Sequence, residues 1–136
     1  MERVPYAFAV GSLMYSMVCT HLDITYVVGT ISRFFSNLGN EHWNAAKWIM
    51  RYLQGTSNMS LCFGCEKPKL IGCTNVNMAR DIDSHISTSS YLIIFAGGVV
   101  AWQSRLQKCV TLSTTEAGFL TTTKSCNELL WMKKFI

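Results

Sequence analysis

Hydrophobic positions along the chain follow two kinds of pattern, and the change from one to the other falls near Gly55-Thr56-Ser57-Asn58. Ala7, Val10, Met14, Tyr15 and Val18 recur at intervals of three, four, one and three, which predicts an amphipathic helix. Asp23 stands where it can cap a second helix, whose apolar face would be Ile24, Val27, Val28, Ile31, Phe34 and Phe35 and whose end is the Asn37-Leu38-Gly39 turn. A third helix is expected from Asn40, with Trp43, Ala46, Met50 and Leu53 on one side and Lys47 and Arg51 on the other. Gly55 supplies its stop.

Past that boundary the period shortens to two or gives way to solid apolar runs. Met59 to Phe63, Leu70 to Asn75, Tyr91 to Ala96 and Val99 to Gln103 read as strands. Gly97-Gly98 separates the last two and predicts a hairpin, because a two-residue primed turn needs the positive φ that glycine adopts without strain. Ser113-Thr114-Thr115-Glu116 is a capping box, and a helix to about Lys134 should follow, weakened locally by Thr121-Thr122-Thr123. The expected fold class is α+β, with N-terminal helices in residues 1–56 and a small mixed sheet with one long helix in residues 57–136.

Composition sharpens this picture. Only 15% of residues are charged against 49% hydrophobic, and mean hydropathy is +0.21, so the chain has material for a core but a thin polar skin. It is expected either to be part of a larger assembly or to be poorly soluble alone. Twelve Lys+Arg against eight Asp+Glu leave a net charge of +4 and only 20 charged side chains, which excludes a disordered tail or a polybasic arm and permits nucleic-acid contact without requiring it. Six cysteines lie scattered inside apolar runs, the pattern of buried thiols in a reducing compartment, and the Cys62-x-x-Cys65 pair has no second pair to complete a zinc site. Residues 4–22 carry no formal charge, yet Pro5, Gly11 and the interspersed hydroxyls argue against an export or membrane segment. An intracellular location, cytoplasmic or nuclear, is therefore expected.

Several strings together resemble one known family: Ala9-Val10-Gly11-Ser12-Leu13-Met14-Tyr15, Trp48-Ile49-Met50-Arg51-Tyr52-Leu53-Gln54-Gly55-Thr56, Ser87-Thr88-Ser89, Ala96-Gly97-Gly98, Trp102-Gln103-Ser104 and Leu112-Ser113-Thr114-Thr115-Glu116-Ala117. In order and over nearly the whole chain they are similar to the copia-type retrotransposon Pol polyprotein, at the end of its reverse transcriptase and the opening of its ribonuclease H domain. The resemblance is strongest to plant elements. It implies that residues 1–56 are a helical, thumb-like tail of reverse transcriptase and residues 57–136 a truncated ribonuclease H-like domain, with Met1 internal to a longer polyprotein and later acidic residues lying past Ile136.

The same resemblance implies a damaged site. The family has an aspartate that binds catalytic magnesium where this chain has Asn75, a second aspartate where it has Asn77, and a glutamate where it has Gly118. Two-metal hydrolysis needs several carboxylates to hold magnesium ions about 3.5–4 Å apart, and a neutral amide or a bare glycine cannot replace them. No catalytic residue, metal ligand or cofactor is therefore expected. Asp81 and Asp83 read as solvated turn residues and Glu116 as a helix cap, rather than as substitute ligands. Lys47 and Arg51, with Trp43 and Trp48 nearby, read first as a solvated basic face, and alternatively as a weak contact for an RNA:DNA hybrid or a single strand. Trp102 and Trp131 are expected as core anchors. Self-association through an exposed sheet edge is a further expectation, and no membrane partner is expected.

Overall fold

A computed structural model describes residues 6–34, 39–78 and 83–136, in two compact units, Met1–Ser60 and Leu61–Ile136. The chain is α+β, and its described residues form four α-helices and one three-stranded antiparallel sheet. The first unit holds α1 (Tyr6–Cys19), α2 (Thr25–Ile31) and α3 (Asn40–Gly55), with single 3-10 turns at Leu22–Ile24 and Ser32–Phe34.

In this unit Tyr6, Val10, Leu13, Ile24, Val28, Ile31, Ala46 and Ile49 form the core, and Met17, Trp43, Ala45 and Leu53 pack against it. The stripe expected on α1 is out of phase. Tyr6, Ala9, Val10 and Leu13 are buried, whereas Ala7 and Val18 are exposed and Tyr15 is 74% exposed. Almost every residue of α1 is apolar or small, so periodicity alone does not fix which side faces inward. A hydrogen bond does fix it, since the buried Tyr6 hydroxyl donates to the Ile31 carbonyl at 3.1 Å, and burial pushes the Tyr6 pKa up.

Asp23 does not cap α2. Ile24 occupies the N-cap without a side-chain bond, while Asp23 accepts the Ile24 N–H at 3.1 Å within the preceding turn. On α3 the buried side is Ala46 and Ile49, and Met50 is exposed, so the expected stripe is displaced by one residue there. Gly55 is the last helical residue rather than a left-handed stop, and Thr56 closes the helix by bonding its hydroxyl to the Tyr52 carbonyl. Phe35 and the Asn37-Leu38 part of the predicted turn lie outside the described residues.

The second unit contains β1 (Leu70–Asn77), β2 (Thr88–Phe95), β3 (Gly98–Leu106) and α4 (Thr114–Lys133), with the strands in the order β1-β2-β3. Met59 to Phe63 is not a strand. Part of it lies beside the hairpin tip, where the Gly64 N–H donates to the Ala96 carbonyl at 3.0 Å. The tip is Ala96-Gly97, both with positive φ (50° and 80°), and Gly98 already pairs with Phe95. Gly98 is needed for another reason: a Cβ there would lie 2.6 Å from the Cys62 carbonyl oxygen and closer still to the Phe63 ring.

Helix α4 packs over β1 and β2. Ser113 caps it, accepting the Glu116 N–H at 3.1 Å, and the Glu116 carboxylate accepts the Leu112 N–H at 2.8 Å, one residue earlier than in the standard box. Among the described residues of this unit the only buried hydrophobic side chains are Ile93 and Ala117, accompanied by the buried polar Ser87, Thr88, Ser89, Thr111, Thr121 and Ser125. Two expectations about burial are corrected here. All six cysteines are exposed and none forms a disulfide, because they stand on strand, loop or helix positions outside the buried residues of their units. Trp131 is 56% exposed near the end of α4, tilted against Phe135 at 4.8 Å, and Trp102 is half-buried.

Candidate functional site

The pleat decides where the positions singled out above point. A Cβ on Gly72 would lie 2.6 Å from the Leu129 side chain of α4, so Gly72 faces the helix. Ser89 also faces it, its hydroxyl 2.7 Å from that of Thr121, and Ser89 pairs with Val76 of β1. Side chains alternate along a strand. Gly72, Thr74 and Val76 therefore share the α4 face, and Asn75 and Asn77 lie on the other. Asn75 sits opposite Ser90, whose hydroxyl bonds Ser104 at 3.0 Å on that same face.

Gly118 is in the first turns of α4, half-buried, with open space where a side chain would stand. The structure thus does not bring Asn75 and Gly118 together. Asp81 lies outside the described residues, Asp83 is exposed in the loop before β2, and Glu116 is engaged as the cap. Among the described residues no three His, Cys, Asp or Glu side chains converge as metal ligands.

Lys47 and Arg51 are brought together as successive exposed turns of α3. The Lys47 ammonium lies 5.4 Å from the Trp43 ring centroid, and the Arg51 guanidinium 5.3 Å from that of Trp48. Both are i to i+4 or i to i+3 neighbours on the helix surface, the spacing at which side chains meet.

Sequence reading missed a second group of cations. Arg105 on β3 pairs with Ser89, placing it on the α4 face of the sheet, and Lys124 stands one turn beyond Thr121 on α4. Lys108 follows β3. Burial lowers the Lys124 pKa, the charges of Arg105 and Lys108 lower it further, and Glu128 acts weakly the other way. No linear spacing announces this group, because the turn from β3 into α4 assembles it.

Comparison with known proteins gives the chain its relatives. It is 54% identical over all 136 residues to the retrovirus-related Pol polyprotein from transposon TNT 1-94 of Nicotiana tabacum, of which it covers 10%. Against the corresponding polyprotein from transposon RE2 of Arabidopsis thaliana it is 31% identical over 132 residues, 96% of this chain and 9% of that one. The chain therefore spans about a tenth of the length of these Pol polyproteins. It is also 40% identical over 133 residues to secreted RxLR effector protein 161 of Plasmopara viticola, covering 97% of this chain and 94% of that protein. With that coverage the chain belongs to one family with the Plasmopara protein, a family whose sequence recurs as a segment of transposon Pol polyproteins. No protein-family model and no solved structure matches it.

Proposed function

We propose that the chain is a catalytically inactive piece of a retrotransposon Pol polyprotein, the first unit derived from the end of a reverse transcriptase and the second from the opening of a ribonuclease H-like domain. The observation that carries this reading is the donor set. Asn75 and Asn77 are neutral and point away from α4, and Gly118 offers no side chain. Magnesium is a hard cation that favours charged oxygen ligands, so these residues do not suit it. An antiparallel β1-β2-β3 meander followed by a helix crossing β1 and β2 is in keeping with the opening of a ribonuclease H-like sheet. The test is incubation of a labelled RNA:DNA hybrid with the purified chain in magnesium and in manganese. Intact hybrid is expected, and cleavage that survives repurification overturns the proposal.

A second reading is favoured by the exposed aromatic and basic ladder of α3. Here Lys47 and Arg51 contact phosphates of a hybrid or a single strand, with the Trp43 and Trp48 rings beside them. Binding should weaken as salt rises and fall with Lys47→Ala/Arg51→Ala, and salt-independent binding removes this reading. An intracellular location accompanies both. No helix among the described residues is long and apolar enough to cross a membrane.

A further inference from the structure

Between α2 and α3 lies a cleft of about 490 Å³ that shares only Trp48 with the readings above. Its volume falls within the range of small-molecule sites, roughly 300–1,000 Å³. Ile24, Val27, Ala45 and Ile49 make its aliphatic surface, the Trp48 and Tyr52 rings close one side, and Asp23 supplies the one carboxylate. Everything else in the lining is apolar or aromatic.

Asp23 is held in place without being neutralised. One oxygen accepts the Ile24 N–H at 3.1 Å and the other accepts the Tyr52 hydroxyl, and both donors are uncharged. Among the described residues Asp23 has no ion-pair partner. The bond to Asp23 also pushes the Tyr52 pKa up, which keeps that hydroxyl a donor. Trp48 is 68% exposed, and its ring already attracts a cation, the Arg51 guanidinium. A fixed, unbalanced negative charge beside two electron-rich rings and a hydrocarbon wall is the chemistry that selects an organic cation. An anion would meet Asp23, and a neutral ligand would gain only from burial.

We infer that this cleft binds a small alkylammonium or quaternary ammonium ion, with its charge between Asp23 and the Trp48 and Tyr52 rings and its hydrocarbon against Ile24, Val27, Ala45 and Ile49. The inference does not depend on a nucleic-acid role for Lys47 or Arg51.

The test is an NMR titration of the full chain with choline and, separately, with its neutral isostere 3,3-dimethylbutan-1-ol. Saturable shifts at the Trp48 indole N–H and at the amides of Asp23 and Tyr52 are expected with choline, and roughly tenfold weaker binding with the isostere. Asp23→Asn keeps an acceptor for Tyr52 and should weaken choline by roughly tenfold while leaving the isostere unchanged. Trp48→Leu alters an exposed position, so it should fold normally, and it too should weaken choline. If choline and its isostere bind alike, if neither gives a saturable shift in the cleft, or if both folded variants bind choline as the parent does, the inference is overturned. Should Asp23→Asn lose its dispersed spectrum, Trp48→Leu and the isostere comparison decide.

Discussion

The hydroxyls of Ser89 and Thr121 lie 2.7 Å apart and tie the central strand β2 to helix α4. Gln107 completes the link, its amide donating to Ser89 Oγ at 2.8 Å and to the Ala117 carbonyl at 3.0 Å. Beside this network two buried polar atoms, Gln107 Oε1 and Ser125 Oγ, have no hydrogen-bond partner among the described residues. Such groups cost free energy relative to water, whereas a satisfied pair contributes modestly. The second unit is therefore held by a small polar seam where most domains have an apolar core.

Substitutions in that seam should separate the two situations. Thr121→Val keeps the shape but leaves Ser89 short of a partner, which should cost about 1–3 kcal/mol. Ser125→Ala removes an orphan hydroxyl and should be neutral or stabilising by about 1 kcal/mol. Urea unfolding of both variants checks this, and Ser89→Ala combined with Thr121→Val should cost less than the sum of the singles because they share one bond.

Two glycines should respond in opposite directions. Gly72→Ala brings a methyl to 2.6 Å from the tip of the Leu129 side chain of α4, which must shift, and should destabilise by about 1 kcal/mol. Gly118→Ala meets open space inside a helix and should stabilise by about 0.5–1 kcal/mol, since glycine is a poor helix former. Thermal melts followed by circular dichroism would show a lower midpoint for the first and a higher one for the second.

How far the sequence disclosed this arrangement depends on how many signals each element carries. Residues Ser113 to Glu116 and the run Asn40 to Gly55 were legible because cap chemistry or a charged face marks them. The phase of α1 was not, since Phe8, Tyr15 and Val18 are exposed and as apolar as the buried Val10 and Leu13. At the hairpin the glycine pair gave the turn but not its register. Ala96 takes the first left-handed position, and the crowding of Gly98 by Phe63 and Cys62 comes from a segment distant in sequence. Asn75, Asn77 and Gly118 were found from sequence strings alone, but the face each occupies follows from Gly72 against Leu129 and Ser89 against Thr121, contacts invisible in one dimension.

Among the described residues β1 pairs on one side only, with β2, and its residues Leu70 to Asn77 carry no charge. An uncharged strand edge is a template for pairing with another chain. Ile71 points away from α4 and is 39% exposed, so Ile71→Lys adds a charge beside that edge without entering the seam. Sedimentation velocity across a concentration series should show self-association of the parent chain and less of it in the variant. Equal behaviour would place any self-association elsewhere, for instance on the exposed Trp131 and Phe135.

Lys124 supplies a pH signature with a defined sign. Burial and the charges of Arg105 and Lys108 lower its pKa in the folded chain below the usual lysine value. Between that lowered value and about 10.4 the unfolded chain holds the proton that the folded chain has released, so this contribution to stability rises with pH. At neutral pH Lys124 is charged in both states, and its cost is fully present. Lys124→Gln removes that cost and should stabilise the chain at pH 7, with the advantage shrinking as pH approaches 10. Tyr6 and Tyr91 act in the opposite sense, because their raised pKa values leave the folded chain holding protons the unfolded chain loses above about pH 10. The informative quantity is therefore the difference in urea-unfolding free energy between variant and parent at pH 7, 8.5 and 10, where the tyrosine contribution cancels. A difference that stays constant with pH would mean that Lys124 titrates alike in both states, and that Arg105, Lys108 and Lys124 do not repel one another in the folded chain.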